Sequence, residues 1–143
     1  MPSSWLLERF PEARIYGIEP SKKRVRIASL AVGTRGTVAQ GHAPDVPEVL
    51  QPVDLTTMLD MVHFLNDEAL LSTLARVGER MREGGRLIIR ASIRPKRRYP
   101  WVWWLENAKL RFAGIPAYYR SAEQLEKMIA RSAFQVTDKL PSG

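Results

Sequence analysis

The chain predicts an α/β fold: a mostly parallel sheet flanked by helices. Three observations carry that prediction. Short apolar runs of strand type alternate with segments of helical period, the mark of βαβ units. Capping and breaking residues stand at the junctions, namely Ser21, Gly33, Gly84-Gly85 and Ser121. The 143 residues, 45% of them apolar, suit one domain (1–143) with one hydrophobic core.

The elements follow in order. "SWLLERF", residues 4–10, reads as the end of a helix stopped by Pro11. Residues 15–18 form a short strand. Ser21 caps a helix to Val32, with Val25, Ala28 and Val32 on one face and Gly33 ending it. Residues 37–40 and 53–59 are the second and third strands. Asp67 and Glu68 open a helix whose Leu70, Leu74, Val77 and Met81 form one buried stripe. Gly84-Gly85 ends it, and "RLIIRA", residues 86–91, is the fourth strand. Ser121 and Gln124 make a capping box for a helix to about Arg131, and Phe134 with Val136 marks a fifth strand.

Several classes are excluded. Without cysteine there is no disulfide framework and no thiolate metal site, and His42 and His63 alone do not make a structural zinc site. No apolar run approaches the ~20 residues of a membrane span, and no signal peptide stands at the N-terminus, so the expected compartment is the cytoplasm. The net charge of +7 concentrates in two runs, Lys22-Lys23-Arg24 with Arg26, and Arg94 with Lys96-Arg97-Arg98. They read as a solvated helix start and a solvated loop, or the second run faces something anionic.

"RIYGIEPS" stops an apolar run at an acid and a proline. In a parallel sheet, ligands sit beyond the carboxyl ends of the strands. Glu19 stands at such an end, where a carboxylate can accept two hydrogen bonds from a ribose diol. The alternative is a role at the start of the next helix.

From Val53 the chain runs "VDLTTMLDMVHFLNDEALLSTLARVGERMREGGRLIIRAS". Its order of motifs resembles the class I S-adenosylmethionine-dependent methyltransferases: Val53-Asp54 opening a strand, Met58-Leu59-Asp60 closing it, a hydrophobic-His-x-Leu-x-Asp segment at residues 62–67, a helix, then Gly84-Gly85 and an apolar strand. "RFPEARIYGIEPSKKRVRIA" is similar to that family's second strand with its acidic ribose binder, and "QGHAPDVP" to the loop framing the adenine. The resemblance implies a Rossmann-like sheet with S-adenosylmethionine held by Glu19, Pro20, His42, Ala43, Met58, Leu59 and Asp60. His42 stands where the family usually has Asp. It either meets the adenine edge or is an exposed loop residue. The family's first strand and Gly-rich loop have no counterpart after Met1, and its last hairpin strand has none after Gly143. The resemblance therefore implies a truncated domain, expected to be oligomeric or marginally stable and to bind cofactor weakly.

Methyl transfer in this family needs positioning, and a general base only where the acceptor is protonated. His63 is the candidate base, with packing as its alternative; Asp60 either bonds the cofactor or caps its turn. Residues 93–119 form an insert that in the family walls or lids the acceptor, here with Trp101, Trp104 and Tyr118 as substrate-binding candidates. Their clustering points to a small apolar or aromatic acceptor or an anionic membrane surface, and away from nucleic acid. Three readings stay open: a small-molecule methyltransferase, a non-catalytic remnant acting through partners, and a nucleic-acid- or membrane-binding module.

Overall fold

The computed structural model describes residues 2–49, 51–93 and 116–140. The chain divides into two compact units, Met1–Pro52 and Val53–Gly143.

The first unit opens with helix α1, Pro2–Arg9. Strand β1, Ile15–Glu19, leads to helix α2, Lys22–Val32, and then to strand β2, Gly36–Gln40. Ser21 caps α2 as its sequence predicts, its side chain accepting from Arg24 N, and Gly33 ends the helix at φ 60°. β1 and β2 pair in parallel from Ile15↔Gly36 to Glu19↔Gln40, which makes β1-α2-β2 one βαβ unit. A Cβ on Gly36 would lie 1.9 Å from the Ile15 carbonyl oxygen, so only glycine allows this approach. Leu7, Ala28 and Val32 form the buried core. The Leu7 carbonyl accepts from Arg35 Nη1 at 3.0 Å, which ties α1 to the turn after α2.

In the second unit strand β3, Val53–Leu59, pairs in parallel with β4, Met81–Arg90. Between them lies helix α3, Asp67–Arg80, preceded by a 3₁₀ turn at Val62–Phe64. Helix α4, Ala122–Ile129, packs on α3. Asn66 caps α3 by accepting from Ala69 N at 2.8 Å. The capping box at Ser121 and Gln124 is present, with bonds of 3.2 and 2.9 Å. The core draws Met58 from β3, Val62 and Leu65 from the turn, Leu70, Leu74 and Val77 from α3, and Leu125 and Met128 from α4.

Two expectations need correction. Gly84-Gly85 does not end α3: Arg80 does, with Met81 N donating to Gly78 O. Instead β4 starts early and breaks register, Val53 pairing with Met81 and Leu55 with Arg86. Residues 82–85 bulge opposite Asp54 alone, and Gly84 supplies the turn at φ 72°. The bulge is held by Arg82 Nη1, 2.8 Å from Asp54 Oδ1. The fifth strand is also not there: among the described residues, 131–140 hold no strand. Phe134 N donates to Ser132 Oγ at 3.3 Å, so a local turn takes the group a ladder would need. The Phe134 ring lies beside Gly78, 3.8 Å from where a Cβ would stand.

Among the described residues β1 pairs only with β2, and β3 only with β4. No described helix is long and apolar enough to cross a membrane.

Candidate active site

The first unit gathers its four candidates at one end of its sheet. The β1–β2 ladder ends at Glu19↔Gln40, and the bonds Gly41 N to Glu19 O (3.3 Å) and Gln40 Nε2 to Pro20 O (3.2 Å) hold the two strand ends together. His42 and Ala43 follow at once in a turn closed by Asp45 N donating to His42 O at 3.1 Å. His42 is exposed. Glu19 is three-quarters buried, its side chain 26% exposed. Its Oε1 accepts from Ser21 N at 2.9 Å and lies 3.6 Å from Arg24 Nη1. The helix-start role is therefore present. Both contacts fall on Oε1, so the chemistry of the second oxygen also fits a ribose hydroxyl.

The second unit holds Met58, Leu59, Asp60, His63 and Tyr118. Met58 is buried and Leu59 half-buried at the carboxyl end of β3. Asp60 turns the chain with φ 53°, a left-handed conformation that Asp tolerates. Its N donates to Arg90 O at 2.9 Å, and its carboxylate takes Arg90 through both oxygens, Nε to Oδ1 at 3.0 Å and Nη2 to Oδ2. This guanidinium holds the Asp60 carboxyl below its ordinary range.

His63 is buried. Its ring stacks on Tyr119, centroids 5.4 Å apart and planes 2° from parallel, and meets Phe64 at 4.0 Å. Burial lowers its pKa, so the imidazole is neutral at pH 7, while the nearby Asp60 charge pulls the other way. Its Nδ1 is buried without a hydrogen-bond partner. The His63 carbonyl accepts from Tyr118 N at 2.6 Å, which brings exposed Tyr118 beside it. Trp101 and Trp104, with the rest of 94–115, lie outside the described residues.

Arg120 and Tyr119 carry no motif. Arg120 is 8% exposed and reaches Val62 O (3.0 Å), Leu65 O (2.7 Å), Tyr118 O (3.2 Å) and Asp67. It locks the return of the insert onto the turn that carries His63. The only sequence signal was a cation just before a capping box.

Comparison with known proteins now decides the family. A family model described as "Methyltransferase domain" matches residues 1–89. The chain belongs to that methyltransferase-domain family. Solved structures share its fold. The mitomycin 7-O-methyltransferase MmcR matches with a TM-score of 0.75 and 18% identity, over 99% of this chain and 42% of that one. An O-methyltransferase family 2 protein from Planctomyces limnophilus DSM 3776, in complex with apigenin, matches with 0.74 and 20%, over 97% and 42%. CalO1, a methyltransferase of calicheamicin biosynthesis in its SAH-bound form, matches with 0.68 and 17%, over 95% and 40%. The chain thus spans about two-fifths of the length of these structures. No curated protein matches it. The methyltransferase resemblance and the Rossmann-like fold stand.

Proposed function

We propose that the chain takes part in S-adenosylmethionine-dependent methyl transfer to a small apolar or aromatic acceptor. The observation that carries this is Glu19, a half-engaged carboxylate at the carboxyl end of a parallel strand in a methyltransferase domain. When bound, S-adenosylmethionine supplies a methyl group already activated on a sulfonium. The chain's own task is then to hold and orient.

In this reading Glu19 accepts the ribose hydroxyls through Oε2, beside Pro20, while Oε1 keeps the helix start. His42 and Ala43 frame the adenine. In the second unit, Met58 and Leu59 close their strand and the left-handed turn at Asp60 is braced by Arg90. Tyr118 contributes to the wall of the acceptor, for which the apigenin complex of the P. limnophilus protein offers an aromatic precedent, while the other two candidates, Trp101 and Trp104, lie outside the described residues. The enclosed Nδ1 and the stacking on Tyr119 support a packing role for His63 over that of a base.

Calorimetric titration of the full chain with S-adenosylhomocysteine tests the reading. Binding that weakens in Glu19→Ala is expected. Absence of any binding by the parent chain overturns it.

A further inference from the structure

We propose that the outward face of α2 docks on an anionic lipid surface. On the helical wheel Ala28 and Val32 face the core of their unit, and Lys23, Arg26, Ile27 and Leu30 stand on the opposite side at i, i+3, i+4 and i+7. Leu30 is 78% exposed and Ile27 50%. Lys22, Lys23, Arg24 and Arg26 are all exposed, and the helix contains no acid. Only Arg24 leans toward a carboxylate, that of Glu19. Among the described residues, Lys22, Lys23 and Arg26 have no ion-pair partner.

Two costs in this sequence go unexplained by folding. Cations in the first turn oppose the helix macrodipole, which favours acids there. Leu30 and Ile27 gain nothing from water. An anionic bilayer offsets both at once: headgroups meet the lysines and arginines, and the aliphatic side chains enter the boundary below them. A second copy of the same face would bring like charges together. Nucleic acid would satisfy the cations and leave Leu30 and Ile27 in water.

The test is cosedimentation of the full chain with phosphatidylcholine vesicles holding about a third phosphatidylglycerol, against neutral vesicles, across salt. Binding to the anionic vesicles alone, falling with salt, is expected. Lys23→Gln with Arg26→Gln should weaken it about 25-fold, since each charge near the surface is worth about fivefold. Leu30→Ser should weaken it by a similar factor while its circular dichroism matches the parent. The control replaces Arg94, Lys96, Arg97 and Arg98 with Gln, to separate this face from the basic insert. Full binding in the α2 variants, or none by the parent, overturns the proposal. So does binding to duplex DNA that Leu30→Ser leaves unchanged. None of these outcomes bears on cofactor titration, so the two readings fail separately.

Discussion

Arg120 and Asp67 meet through two charge-assisted bonds onto one oxygen: Nε and Nη2 of the guanidinium lie 2.9 and 2.7 Å from Asp67 Oδ1. The pair is unequal. The Arg120 side chain is 9% exposed, that of Asp67 78%. The arginine's other bonds go to the carbonyls of Val62, Leu65 and Tyr118, so its loss strands acceptors that water does not reach freely. Arg120→Leu is expected to cost roughly 3 kcal/mol in urea unfolding, the scale for breaking a buried charged network. Asp67→Asn removes only an exposed partner and is expected to cost about 1 kcal/mol or less. Equal losses in the two variants would show that the ion pair, and not the carbonyl bonds, holds this corner.

Gly36 and Gly84 separate two reasons for glycine. At Gly36 a Cβ would overlap the Ile15 carbonyl oxygen, so Gly36→Ala must part β1 from β2 and is expected to cost more than about 3 kcal/mol. Gly84 has open space around its missing Cβ but sits at φ 72°. Gly84→Ala is expected to cost only about 1 kcal/mol, the strain of a left-handed alanine. Thermal melts of the two variants check the order.

What was legible in the sequence was local. Ser21 and Ser121 stand before periodic apolar stripes, and Asp67 and Glu68 put acids in a first turn, so α2, α3 and α4 could be read at their starts. Their ends were less legible. Gly84-Gly85 looked like a helix stop because glycine breaks helices and forms bulges alike, and only the pairing with β3 distinguishes the two. Phe134 and Val136 have strand-forming types, yet the Ser132 turn and the gap above Gly78 claimed Phe134, and both are tertiary facts. Of the site candidates, the strand end singled out Glu19, and the family resemblance singled out Asp60. Arg120 escaped because three of its four partner residues lie more than fifty residues away and most of its acceptors are carbonyls, which any sequence supplies.

His63 and Asp60 make stability fall on acidification. Burial lowers the His63 pKa from its ordinary 6.5, so below that value the unfolded chain takes up a proton that the folded chain refuses. The unfolded state then binds more protons, and stability declines as pH drops through 6.5 toward the folded-state value. Asp60 acts at lower pH. Its folded pKa lies below the ordinary 3.8, and what its bond with Arg90 contributes is lost only as pH falls through that depressed value. His63→Phe keeps an aromatic ring between Phe64 and Tyr119 and cannot titrate. Its melting temperature is expected to fall less than the parent's between about pH 7 and pH 5. Parallel curves for the two proteins would remove His63 from the acid transition.

Glu19 carries two separable duties, and two substitutions divide them. Glu19→Gln keeps a carbonyl oxygen that can accept from Ser21 N, so the start of α2 should survive and the melting temperature should stay near the parent's. Glu19→Ala removes that acceptor and is expected to cost about 1 kcal/mol of stability, the usual scale for a lost helix-start bond. For a ribose the grouping differs. A diol donates to a carboxylate through charge-assisted bonds, and neither an amide nor a methyl group reproduces them. Both variants are therefore expected to lose roughly 1–3 kcal/mol of affinity for S-adenosylhomocysteine in calorimetry, although only one loses stability. If Glu19→Gln bound like the parent, the carboxylate would be reduced to its contact with the helix start. If affinity and stability fell together in Glu19→Ala and neither fell in Glu19→Gln, the ribose would have no claim on this side chain.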